Sequence, residues 1–223
     1  MTEAPPARGV SSLAAEPAQR AGGRWIALIA LANLGLYLGY IGPISVLLPN
    51  QVQAIAGSAH KVAVLGWVTG IGAAVAMVAN PVAGALSDRT TSRFGRRRPW
   101  IVSGALAGAA ALALLAGQHT IAGVIAGWCL AQAGLNAMQA SVTACVPDHV
   151  PVGQRGVVSA WIGLPQTLGV LLAVVLVTDV VSGNAGYLLL GACVVACALP
   201  FAVTTPDLRL PRASRPPWRW RAW

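Results

Sequence analysis

Uncharged polar side chains stand inside long apolar runs, and seven of them keep a regular spacing. Asn33, Tyr37 and Tyr40 follow one another at i, i+4, i+7. Gln132, Asn136 and Gln139 repeat that pattern, and Thr143 extends it by one more turn. Gln166, with Thr167 beside it, follows Pro165 in a later run. On a helix each set occupies one face. Amides and phenols both donate and accept hydrogen bonds, so two uses stand open. The faces could line a hydrated cavity for a small polar solute, or they could join helices across a packed interface. Asp, Glu, Lys, Arg and His are absent from the middle of every apolar run. Proton relays and ion sites in membranes usually need such a residue, so any ion coupling must be placed elsewhere.

Charged chemistry is gathered in one stretch, Gly84 to Trp100, which holds Asp88, Arg89, Arg93, Gly95, Arg96, Arg97 and Arg98. Arginine beside anionic headgroups gains about 1 kcal/mol per residue. A solvated basic loop therefore explains the arginines, but not the aspartate or the glycine spacing. Asp88 is suited to accept from helix-terminal N–H groups, or to pair with Arg96 or Arg97. Gly84, one turn earlier, permits close approach of another segment, and Gly95 permits a tight reversal. Asp148 reads as a loop acid near Arg155. Its neighbour His149 has no placed serine or cysteine nucleophile, so a catalytic reading lacks its parts.

The elements that carry these residues follow from composition. Charged residues are 9% of the 223, against roughly 25% in ordinary globular domains. So few charges cannot cover a soluble surface, and lipid is the expected solvent. The net charge of +9 does not point to nucleic acid, because the basic residues sit in short connectors rather than on a regular face. Cys129, Cys145, Cys193 and Cys197 match no zinc spacing and read as small apolar residues. No metal or cofactor is expected.

Residues 1–23 read as a disordered tail without the short apolar core of a signal peptide. Six apolar runs then approach or exceed the roughly 20 residues that cross a bilayer: 25–48, 62–87, 100–117, 121–146, 156–178 and 185–204. Polar connectors are expected at 49–61 and 147–155, a turn at 179–184, and a kink at Asn80-Pro81. The reading is an all-α integral membrane protein with a six-helix bundle over 24–204. Alternating sides along this path, fourteen arginines fall on one side and Lys61 alone on the other. By the positive-inside bias, that side and both termini are cytoplasmic in the cell membrane.

Gln132, Asn136 and Gln139 each stand 99 positions after Asn33, Tyr37 and Tyr40, and Trp67 and Trp161 give a weaker echo. The offset implies two copies of a three-helix unit, inverted because three spans separate them, as in many transporters. Glycine pairs at four-residue spacing, Gly35/Gly39, Gly66/Gly70, Gly104/Gly108 and Gly123/Gly127, point to a tightly packed bundle.

With this topology the arginine stretch resembles the signature loop between the second and third helices of the major facilitator superfamily. Its longer form, from Asp88-Arg89 through Gly95-Arg96-Arg97-Arg98-Pro99-Trp100, is similar to the branch of sucrose transporters and glycoside–pentoside–hexuronide carriers. The resemblance implies a secondary transporter working by alternating access. In it the acidic residue caps a helix end and pairs with arginine and with the other half, so that one face is held shut. A sugar or glycoside is the implied solute, and symport the implied mode. The stretch 147–156 resembles the shorter, related loop after the fourth helix.

A complete facilitator has two six-helix halves, and this sequence carries one. The basic, Trp-rich tail 205–223 has no helical or strand logic. It reads as the end of a truncated gene, with an interfacial anchor as the alternative. The expected partners are the lipid bilayer, a small-molecule solute and a second six-helix half, from another copy or another chain. The rival reading is a non-transporting membrane remnant or interaction subunit.

Overall fold

The computed structural model describes residues 17, 19–181 and 183–208, and its regular structure is helical throughout these. Among the described residues six helices are long and apolar enough to cross a membrane: α1 Gly23–Ala56, α2 Lys61–Asp88, α3 Arg98–Ala116, α4 Ile121–His149, α5 Val152–Val180 and α6 Ala185–Thr204. The tail up to residue 16 and the basic stretch 209–223 lie outside the described residues.

The helices outrun their apolar segments. The expected connector at 49–61 is helical as far as Ala56, because α1 passes through a π-turn at Pro43–Leu47 and absorbs Pro49 in the first turn beyond it. A widened turn is a place where a missing proline N–H is accommodated. The expected loop at 147–155 shrinks likewise: α4 carries Pro147 inside its last turn, and α5 begins at Val152. α5 ends in a second π-turn, Leu176–Val180, so Asp179 is helical rather than part of a turn. α2 continues through Pro81.

Local chemistry stops the chain where it does. Gly57 adopts φ +79° directly after α1, and its N–H returns to the Gln53 carbonyl at 3.0 Å. A positive φ of this kind is open to glycine, which has no Cβ to clash. Thr120 caps α4, its hydroxyl accepting from the Gly123 N–H at 3.1 Å. Gln51 ends α3 from outside, donating to the carbonyls of Leu115 and Gln118 at 2.9 Å each, while Tyr187 donates to its side-chain oxygen at 2.8 Å. The last carbonyls of a helix have no partner of their own, which is why a buried amide is retained there.

Packing follows a two-fold pattern. α1 packs on α5 and α6, α4 packs on α2 and α3, and α3 packs on α6, with a smaller contact between α1 and α4. Exchanging α1 with α4, α2 with α5 and α3 with α6 reproduces the same set of contacts. An inverted pair of three-helix units related by a pseudo-two-fold axis produces this pattern. Small residues bring the backbones together. A Cβ on Gly134 would lie 2.5 Å from the Gly108 nitrogen, and one on Gly104 2.6 Å from the Met138 nitrogen, so α3 and α4 touch backbone to backbone. Gly35 meets Val194 and Cys197 of α6 in the equivalent way. Gly66 and Gly70 have nothing within 4 Å, so that pair is not used inside this bundle.

Candidate functional site

The arginine stretch joins α2 to α3, and its charges are distributed unevenly. Arg97 is buried at 4% exposure, and a buried guanidinium needs acceptors on every side. It has three. Its Nε donates to Asp148 Oδ2 at 3.2 Å, one Nη donates to the Ser87 hydroxyl, and the other pairs with Asp88. Ser87 in turn donates to the Gly84 carbonyl at 2.8 Å. Arg96 pairs with Asp148 Oδ1 at 2.5 Å. Asp88 thus takes Arg97 of its two expected partners, and it remains 51% exposed while doing so.

Asp148 is not a loop acid beside Arg155. It sits in the last turn of α4 and bridges Arg96 and Arg97, because the longer helix carries it back to the arginine stretch. Arg155 donates instead to the carbonyl of Val150 at 3.1 Å. Gly84 shows no close approach either: a Cβ there would meet nothing within 4 Å among the described residues.

The helix-capping acid is Asp207, which sequence reasoning missed. Its Oδ2 accepts from the N–H groups of Arg97 and Arg98 at 2.7 and 2.8 Å, closing the open N-terminus of α3. A carboxylate there satisfies orphan donors and meets the positive end of the helix dipole. Arg96 N–H donates to the Leu208 carbonyl at 3.1 Å, and Arg98 donates to the carbonyls of Val203 and Thr205. Gly95 makes the approach possible. It holds φ +103°, and any Cβ there would collide with the Asp207 side chain. The first residues after α6, expected to lack structure, are therefore pinned across this end of the bundle. One signal was available. Of the chain's six acids only Asp88, Asp148, Asp179 and Asp207 lie beyond the N-terminal tail, and three of these fall at helix ends on the arginine side.

His149 ties the same region together. Its Nδ1 lies 3.1 Å from the Cys145 carbonyl and its Nε2 3.0 Å from the Pro206 carbonyl, with the Trp25 ring 5.8 Å away. Both contacts are hydrogen bonds only when both nitrogens carry protons; a neutral ring serves one at a time. Before α1, Gln154 holds Ala21 by a reciprocal pair of bonds at 2.8 and 2.9 Å.

The intramembrane polar set divides in two. Asn33, Gln132 and Asn136 are buried. Asn33 donates to its own helix at Ile29, and Asn136 donates to the Gln132 carbonyl and side chain at 2.8 and 3.0 Å. Asn80 of α2, expected only as part of a kink, donates to Asn136 at 3.4 Å. Tyr37, Tyr40 and Gln139 are partly exposed, and Gln166 is exposed on α5. Tyr40 donates to Gln139 at 3.2 Å, across a separation of 99 residues. Repeat-equivalent positions meeting one another is what a two-fold axis between α1 and α4 requires.

The family model described as Major Facilitator Superfamily matches residues 19–220. The sucrose transport protein SUC4 of Arabidopsis thaliana is 35% identical over 91 residues, which are 41% of this chain and 17% of that protein. The crystal structure of a mutant peptide transporter POT in complex with alafosfalin aligns with a TM-score of 0.64 at 17% identity, covering 92% of this chain and 45% of that one. The chain therefore spans less than half the length of either relative. With two three-helix units, a charged α2–α3 connection and a family match over nearly its whole length, this multi-pass membrane protein belongs to the Major Facilitator Superfamily.

Proposed function

We propose that the chain supplies one six-helix half of a secondary transporter that moves a small polar solute by alternating access. The observation that carries this reading is the open face of the bundle. α3 and α6 close one side of α1 and α4, while α2 and α5 pack on α4 and α1 rather than on each other. The most apolar stretch of α2 is only 11% buried and that of α5 22%, against 50% for α4. The partly exposed Tyr37, Tyr40 and Gln139 stand on the two helices that α5 and α2 flank. A second half seated there would bury apolar surface and enclose these groups as half of a solute site. Rocking of two units about a central site is how such carriers alternate. Asp88, half-exposed and held by Arg97, is positioned to meet that half as part of an inner gate, with Arg89 and Arg96 of the same loop beside it.

The likeness of the arginine loop to sucrose transporters, together with the SUC4 match, favours a sugar or glycoside, with symport as the mode. The arginine side is the cytoplasmic side of the cell membrane, with both termini there. Domain limits of 24–204 for the bundle and tails on either side complete the reading. A second reading, an interaction subunit that does not transport, draws support from Asn33, Gln132 and Asn136, which spend their hydrogen bonds inside the bundle. Counterflow of labelled sugars and glycosides into proteoliposomes holding the purified chain separates the two. Saturable movement of one solute, abolished by Gln139→Leu and reduced by Asp88→Asn, is the expected result. A chain that is inserted and paired yet moves no solute overturns the transport reading.

A further inference from the structure

A groove of about 490 Å³ opens between the start of α3 and the end of α6, on the side away from the face described above. Its walls are apolar: Val102, Leu106 and Val203, with Leu106 51% and Val203 67% exposed. At its helix-end limit stand Phe94 and Arg98. The Arg93 guanidinium lies 4.6 Å from the centre of the Phe94 ring, which holds a second cation at the same end.

The charge at this end is not neutralised. Arg96 and Arg97 are matched by Asp148 and Asp88, whereas among the described residues neither Arg93 nor Arg98 forms an ion pair. Arg98 spends one Nη on the carbonyls of Val203 and Thr205, and its Nε is buried without a partner. Asp207, the nearest acid to Arg98, is directed to the backbone N–H groups and does not line the groove. The hydroxyl of Ser103 lies one turn deeper along the apolar wall.

We propose that this groove is a binding site for an anionic phospholipid. One acyl chain would lie along Val102, Leu106 and Val203, the headgroup phosphate would sit between Arg98 and Arg93, and the glycerol ester would meet Ser103. An apolar slot open to the bilayer, ending near two guanidiniums that form no salt bridge among the described residues, matches a lipid at its tail and its phosphate together. A free phosphate would leave the apolar walls uncovered. The site requires only that the helices lie in a membrane, so it stands or falls independently of the transport reading.

Native mass spectrometry of the purified chain, titrated with phosphatidylglycerol or phosphatidylcholine, tests the assignment. Two arginines at the usual gain per basic residue near an anionic surface give roughly thirtyfold preferential retention of phosphatidylglycerol. Arg98→Gln should cut that preference about fivefold, the share of one arginine. Leu106→Trp, which fills the slot from its exposed side, should release the lipid without touching a charge. Arg24→Gln and Arg155→Gln, at the same end of the bundle, should change little. Equal retention of the two lipids, or an equal loss from all three arginine substitutions, would overturn the site in favour of bulk charge. Full displacement by inorganic phosphate, with Leu106→Trp silent, would overturn it in favour of an anion site.

Discussion

Asp207 shows how one carboxylate can organise a charged loop. Among the described residues it forms no salt bridge; it closes the first N–H groups of α3, and Gly95 is there to let it in. Capping, rather than charge alone, makes a specific prediction. Asp207→Ala should lower the unfolding free energy of the purified protein by about 1–2 kcal/mol, the usual cost of a lost cap. Asp207→Asn should retain most of it, because asparagine caps nearly as well. Titration with SDS, followed by circular dichroism, measures both. An asparagine variant as weak as the alanine one would show that the negative charge matters and the cap does not. Arg97 differs in kind, since it is buried and its acceptors come from Ser87, Asp88 and Asp148. Removing any one of them leaves a charge with less compensation than its burial requires.

At the scale of elements, the glycine pairs separate helix faces that pack from faces that do not. Gly134 faces the backbone of Gly108 at van der Waals limits, so Gly134→Val forces α3 and α4 apart. The expected cost is about 1–3 kcal/mol, typical of overpacking, with loss of a single species on size exclusion in detergent. Gly70→Val should be neutral to within about 0.5 kcal/mol, since nothing lies within 4 Å of its Cβ. The same spacing motif thus carries opposite predictions on two helices, and the comparison is internally controlled. Equal effects would show that backbone contact is not what holds α3 to α4. α3 itself is finished from outside at both ends, by Asp207 at its start and Gln51 at its close. A helix of 19 residues whose own N-cap residue makes no side-chain cap depends on that arrangement at its start.

Across the whole molecule, the least buried helices are the two that flank the polar edge. Trp67 on α2 is 70% exposed and Trp161 on α5 53%. On the proposed reading this face meets a second half. A cysteine placed at Trp161, in a chain whose four cysteines are changed to alanine, should cross-link within membranes to another six-helix unit. A cysteine at Leu114 of α3, on the opposite side, should not. Equal cross-linking at both would indicate random collision in the bilayer and would remove the open face as a docking surface.

The sequence by itself determined the number of spans, the sorting of arginines to one end and the repeat. Each of these is imposed by lipid: an apolar solvent demands long uncharged helices, and duplicated helices keep their polar positions at a constant offset. It also marked Asp88 and Gly95, because an acid and a glycine in a basic loop are costly without a use. Helix ends were less legible, since proline and polar residues such as Pro49, Gln51 and Pro147 look like loop residues until tertiary partners and π-turns accommodate them. Only the tertiary structure decided which acid meets which arginine. Asp148 lies 52 residues from Arg96, and Asp207 lies 110 from Arg97. Such pairs are chosen by where α4 and α6 end in space, and no local spacing records that.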